Sequence, residues 1–189
     1  SYWIDVVPPL ADSRILQTLS ASPLSVTRFS DTVFVDLAGL PAPDDPSVGI
    51  ELVQSEDQFR DYAHVLSAAF GIPGELMDRT AESTRLEHSS PRWRLFLART
   101  DAEPASVASM YLGEHAASVS TMGTAPKHRN RGLQAALLRH CIACAIGRGA
   151  DLFTSQVLPG STSEHNMIRA GCQIAYTKVF WSNVAGGFH

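Results

Sequence analysis

The stretch Thr121–Arg139 reads TMGTAPKHRNRGLQAALLR, and its chemistry lies in the middle. Lys127, Arg129 and Arg131 put cations on a short polar loop, with His128 and Asn130 between them. Gly132 then opens a run in which Leu133, Leu137, Cys141 and Cys144 recur at helical spacing. A helix start carries backbone N–H groups without intrahelical partners and the positive end of the helix dipole, so it draws anions. A glycine there lets a ligand approach the backbone closely, because it has no Cβ. A strand, a basic loop and a glycine at a helix start together point to a phosphate-bearing ligand.

Other phosphate and nucleophile chemistries need residues this chain lacks. A dinucleotide fingerprint needs Gly-x-Gly-x-x-Gly and an acidic residue about 20 positions on; the loop has one glycine, and Asp151 alone is no substitute. The Gly-Lys-Ser/Thr of a nucleotide-triphosphate loop is absent. Pro159-Gly160-Ser161-Thr162-Ser163 does not form a nucleophile elbow and reads as a helix cap. Cys141-Ile-Ala-Cys144 has CxxC spacing but falls inside the helical pattern, so both thiols read as core. No second CxxC or HxxxH pair completes a zinc site, so no metal is expected. His128, in the anion loop, reads equally as a phosphate contact or a solvated surface residue.

Composition narrows the partners. The chain has 189 residues, 44% hydrophobic and 18% charged, with formal net charge −4. That suits one globular domain with a sizeable core. An acidic balance argues against nucleic acid, which wants a broad basic face, so the local basic cluster is better read as a site for one compact anion. No apolar run approaches the length that spans a bilayer, so no membrane partner is expected. The start, SYWIDVVPP, lacks the charged and apolar regions of a leader. Three cysteines point to a reducing compartment, and the expected location is cytoplasmic.

The elements that must position the loop follow from periodicity and caps. Tyr2–Val7 and Thr32–Leu37 read as strands flanking a helix over Leu10–Ala21, with Asp12 as its cap. Leu40–Pro46 (LPAPDDP) is a linker. Residues 1–46 therefore form an N-terminal β-α-β arm with its linker, and 47–189 the main domain. The arm faintly mirrors the C-terminal end, so it is either a degenerate half-repeat or an arm that extends the sheet. Its strand TVFVDL offers an exposed edge for a homodimer. Gly49–Val53 is a strand. Ser55 and Gln58 make a capping box for a helix through Phe59, Tyr62, Leu66 and Phe70, stopped at Gly71. A more polar helix lies within 74–89. Trp93–Arg99, Ala105–Leu112 and Ala116–Thr124 are consecutive strands, the last two a hairpin. Gly132–Ile146 is the strongest helix. Leu152–Val157 is a strand, Ser161–Glu164 caps another helix, and Tyr176–Trp181 closes the chain as a strand. Strands then βαβ imply an α/β fold with a mixed, mostly antiparallel central sheet flanked by helices.

That order, with this loop after the hairpin, resembles the GNAT superfamily of N-acetyltransferases over about Gly49 to Trp181. The family's loop, Arg/Gln-x-x-Gly-x-Gly/Ala after a strand ending near a proline, is matched here by Pro126, Arg129 and Gly132 and the helix that follows. Gln134 stands at the last motif position. PGSTSEHNMIRAGC resembles the family's last helix and its terminal glycine. The resemblance implies an acyl-CoA N-acyltransferase-like fold and acetyl-CoA as co-substrate. Its diphosphate would lie on Arg129, Asn130, Arg131, Gly132, Leu133, Gln134 and Ala135. Its pantetheine arm would pair with the backbones of Met122 and Thr124, with Gly123 permitting close approach and Asn166 as a further contact. The thioester would sit where two strands splay apart.

The implied reaction is direct attack of an amine on the thioester in a ternary complex. The family's usual acid and base are missing: Met167 stands where a Tyr is common, and the strand face where a Glu is common presents Ser118, Ser120, Met122 and Thr124. Ser120, through a water, and Tyr176 are the candidate catalytic groups. Glu82 and His88 lie on the stretch that borders the acceptor in the family. The expected function is acetyl transfer to the primary amine of a small molecule. The alternatives are a catalytically weak acyl-CoA-binding module, sensing or structural, and a protein or peptide acetyltransferase.

Overall fold

The structure, a computed structural model, describes residues 3–43, 49–87 and 89–183. Tyr2, His88 and residues 44–46 of the expected linker lie outside them. In chain order the elements are β1 (Trp3–Val6), α1 (Ser13–Ser20), β2 (Ser25–Asp36), β3 (Gly49–Leu52), α2 (Glu56–Phe70), α3 (Met77–Glu87), β4 (Trp93–Thr100), β5 (Glu103–Leu112), β6 (Ala116–Thr124), α4 (Leu133–Gly147), β7 (Leu152–Val157), α5 (Thr162–Arg169) and β8 (Gln173–Ser182). This is an α/β fold with a mixed, mostly antiparallel sheet flanked by helices. It divides into two compact units, residues 35–154 and residues 1–34 with 155–189. The N-terminal β-α-β segment is thus grouped with the C-terminal strands.

In the larger unit β3, β4, β5 and β6 pair antiparallel in that order, with Leu52 opposite Phe96, Phe96 opposite Ala108 and Ala108 opposite Met122. Ala105–Met110 of β5 is buried throughout, as expected of a strand covered on both faces. Val53, Tyr62, Val65, Leu95, Leu97, Val107 and Ala125 form the core on one face, with Phe59, Leu66 and Ala68 packed against it. Fully burying an aliphatic side chain such as Leu97 contributes about 2 kcal/mol. Arg99 ties three elements: Nε lies 2.7 Å from Glu51 Oε1 on β3 and Nη2 lies 2.6 Å from Asp61 Oδ2 on α2. The Asp61 hydrogen bond, then that of Glu51, makes the guanidinium harder to deprotonate than usual.

Helix α2 starts and stops on local signals. Gln58 N donates to Ser55 Oγ, and Ser55 N donates to Gln58 Oε1 at 2.9 Å, closing the capping box. Gly71 ends the helix at φ +68, in the left-handed region that glycine takes without strain.

In the smaller unit β8 pairs antiparallel with both β1 and β2, with Ile4 and Val26 both opposite Trp181. Asp12 caps α1 by accepting from Arg14 N. β2 begins at Ser25, seven residues before the apolar run that marks it in the sequence, because its first half is partnered by β8 and needs no apolar excess of its own. The expectation of an exposed dimer edge at Thr32–Leu37 is corrected here. β2 is an inner strand between β8 and β7, and Ser30 Oγ donates to Val157 O at 3.3 Å, so TVFVDL presents no free ladder edge.

Candidate active site

The loop between β6 and α4 is built by backbone geometry. Ala125 N donates to Ala105 O at 3.0 Å, holding the end of β6 against β5. A single 3-10 turn, Pro126–His128, follows. Asn130 at φ +61 and Gly132 at φ +76 then bring the chain round to the α4 axis. Gly132 is the N-cap; no side chain caps α4 and no acidic residue lies in its first turn. A Cβ built at Gly132 meets nothing within 4 Å. The positive φ therefore explains the glycine, and the space beside it is open.

Gly123 has a different reason. A Cβ there would lie 2.8 Å from Ala69 Cβ and 3.0 Å from a ring carbon of Phe70. Its missing side chain admits the C-terminal turn of α2 against β6, where the resemblance implied room for a ligand.

The basic residues are tethered by their neighbours. Lys127 Nζ lies 2.9 Å from Glu103 Oε2, and the Lys127 hydrogen bond holds the Glu103 carboxyl below the usual carboxylate range. Arg131 Nη2 lies 3.6 Å from Asp101 Oδ2, and its Nη1 lies 3.4 Å from His128 Nδ1. Arg129 spans the loop, Nε donating to Thr124 O at 3.3 Å and Nη2 to Ala69 O at 3.0 Å. That guanidinium links β6 to the last turn of α2. His128 is neither solvated nor in the open part of the loop: it is 4% exposed, with Nε2 3.3 Å from Glu103 Oε2 but off the hydrogen-bond axis. A buried ring beneath a basic loop is what the run of polar letters concealed.

Strand β6 carries a bulge. Thr121 is opposite Ser109 and Val119 opposite Met110, so Ser120 is an extra residue with no partner on β5. The bulge exchanges the two faces of the strand. Ser118 and Thr121 lie on the face that bears Gly123, while Met122 and Thr124 share the other face with Val119. The expectation that Ser118, Ser120, Met122 and Thr124 line one face is therefore corrected: the bulge splits them. Ser120 is exposed at the bulge. Buried Ser106 fixes the far end of the strand, its Oγ 2.9 Å from Gly123 O and 2.8 Å from Thr124 Oγ1.

Met122, Gly123, Thr124 and Arg129 to Ala135 are thus brought together in the larger unit. Asn166 and Tyr176 belong to the smaller one. Asn166 is half-buried on α5 and its Oδ1 accepts from Arg169 Nη2 at 2.6 Å. Tyr176 is half-buried on β8 opposite Thr32. Met167, at the position where the resemblance implies a tyrosine, is 1% exposed and has no proton to give. The cysteines are free thiols; burial pushes Cys141 far above the usual range and Cys172 up to about 11, so neither is poised as a nucleophile. Among the described residues no cluster of His, Cys, Asp and Glu could hold a metal ion, and no helix is long and apolar enough to cross a membrane.

Sequence reasoning missed Asp101, Glu103 and Ser106, which hold the loop and the strand end. The signal at hand was the Thr100-Asp101-Ala102-Glu103 turn between two strand-like runs, where Asp101 and Ala102 take φ +50 and +65 as a tight hairpin requires.

Comparison with known proteins agrees with this geometry. The sequence pattern of the acetyltransferase (GNAT) family matches residues 59–172, from α2 to just past α5. No curated protein matches the chain. Among solved structures, a GCN5-related N-acetyltransferase from Kribbella flavida superposes with TM-score 0.69 at 18% identity, over 97% of this chain and 68% of that one. A GCN5-related N-acetyltransferase from Sphaerobacter thermophilus gives 0.76 at 17% identity, over 98% and 60%. A tandem GNAT protein from the clavulanic acid biosynthesis pathway gives 0.71 at 16%, over 98% and 65%. The chain thus spans about two thirds of the length of these structures, and at such identities the likeness is one of fold. Since the family pattern covers more than half of the chain, including the uncapped start of α4 and the bulged strand before it, this protein belongs to the GNAT acetyltransferase family.

Proposed function

We propose that this protein is an N-acetyltransferase that moves an acetyl group from acetyl-CoA to the primary amine of a small molecule, by direct attack in a ternary complex. The observation that carries this reading is the start of α4: a 15-residue helix with no side-chain cap, no acid in its first turn and open space beside Gly132. Such a start suits the diphosphate of CoA, which the backbone N–H groups from Asn130 to Ala135 would hold. Arg131 adds a cation at the same turn. Arg129 works from behind, bracing Thr124 and Ala69 so that the strand end and α2 stay in place. Met122 and Thr124 contribute backbone to the pantetheine arm.

Acetyl-CoA supplies an acyl group already activated as a thioester. The protein's share is to orient it, polarise the carbonyl and accept the amine's proton. Ser120 sits exposed at a bulge, a device that re-aims side chains and breaks the ladder locally. Its hydroxyl supports a water that carries the proton away. The larger unit alone carries this reading.

A second reading, an acyl-CoA-binding module with weak catalysis, is favoured by Met167, apolar and buried where the family often has an acid. Calorimetric titration with acetyl-CoA, followed by mass and free-thiol assays on a panel of primary amines, separates the two. Acetylated amine with matching thiol release supports the enzyme. Binding without thiol release on any amine leaves the module, and absence of binding overturns both.

A further inference from the structure

A buried imidazole beneath the loop has no role in the reading above, and the inference drawn from it rests on that reading of the loop as a diphosphate cradle. We propose that His128 is a positioning residue that sets the guanidinium of Arg131 for the phosphate. His128 is 4% exposed, so its ring nitrogens cannot rely on water. Its Nδ1 lies 3.4 Å from Arg131 Nη1. A guanidinium has donors and no acceptor, so Nδ1 must be the acceptor and the ring proton sits on Nε2. Nε2 lies 3.3 Å from the Glu103 carboxylate, off the hydrogen-bond axis, so the nearby negative charge rather than a hydrogen bond favours a proton there. The other charged groups around the ring are Lys127, paired with the same Glu103 oxygen, and Asp101, on the far side of Arg131. Arg131 is thus held between Nδ1 of His128 and the carboxylate of Asp101, and both acids come from one hairpin turn. A ring with protons on both nitrogens has no lone pair for Arg131 and would release it.

The test pairs CoA affinity with a spectroscopic signature. His128→Leu keeps bulk and removes the acceptor; it should weaken CoA about tenfold, the size of one lost charge-assisted hydrogen bond. His128→Asn, whose Oδ1 takes the place of Nδ1, should restore most of that affinity. Arg131→Ala should match His128→Leu, and the double variant should be no weaker than either, because the two act through one contact. Nitrogen-15 shifts of the wild-type imidazole should report a proton on Nε2 and none on Nδ1. Wild-type affinity in His128→Leu, an equal further loss when His128→Leu is added to Arg131→Ala, or a protonated Nδ1 would each overturn the role. A wild-type protein that binds no CoA would overturn the loop reading instead, and the imidazole shifts would then still decide the tautomer.

Discussion

Helices α2 and α4 are each 15 residues long and lie in the same unit, yet they begin in opposite ways. α2 closes its own N-terminus: Ser55 and Gln58 exchange hydrogen bonds, and Glu56 and Asp57 sit in the first turn against the helix dipole. α4 begins on a glycine in the left-handed region, with neither a capping side chain nor an acid. A helix start satisfied from within needs no partner; one left without a side-chain cap and beside cations is arranged for an anion from outside. The pair teaches that the missing cap, rather than the helix start itself, marks the site.

The comparison can be broken at either helix. The largest effect should come at Gly132. Gly132→Val puts a branched side chain into the open space and at a φ it resists, and should weaken CoA at least about a hundredfold, or ~2.7 kcal/mol, by calorimetry. Normal affinity would show that the start of α4 is as inert as that of α2. Next is Gly123→Ala, whose added carbon collides with Ala69 and Phe70; it should cost about 1–3 kcal/mol in urea unfolding. A neutral result would mean the end of α2 does not press on β6. Ser55→Ala should cost about 1 kcal/mol of stability and leave CoA affinity untouched, since that cap serves only its own helix. The smallest effect concerns Glu103, whose lowered pKa means its contribution is full above the ordinary 4.5 and fades as pH falls through the folded-state value. Glu103→Gln should flatten that part of the stability-against-pH curve, and an unaltered curve would deny the tether to Lys127.

Signals confined to a few neighbouring residues were legible beforehand. Ser55 with Gln58, Gly71 and the Gly132 start act within a turn or two, and α2 and α4 formed where expected; Asp12 caps α1 as expected, but that helix runs Ser13–Ser20 rather than Leu10–Ala21. What depended on distant partners was not. The bulge at Ser120 exists only relative to β5, so the letters of β6 suggested one continuous face. The first half of β2 is stabilised by β8, some 150 residues away in sequence, and carries no periodicity of its own. The tie of Arg129 to Ala69 O, 60 positions earlier, is likewise invisible in the letters of the loop. His128 offered two readings, phosphate contact or solvated surface, and neither foresaw a buried ring facing Glu103 from the β4–β5 hairpin.

The unpaired residue at Ser120 also sets how this strand could change. Deleting it would leave the pairing with β5 unchanged, since Val119 and Thr121 already oppose the consecutive residues Met110 and Ser109. Thr124 would stay on the face of Val119, and Gly123 on the face that admits the end of α2, with a regular ladder in place of the bulge. Point substitutions along β6 alter one contact at a time, and loss of the one extra residue would remove an exposed hydroxyl and a local bend without exchanging the two walls of the site.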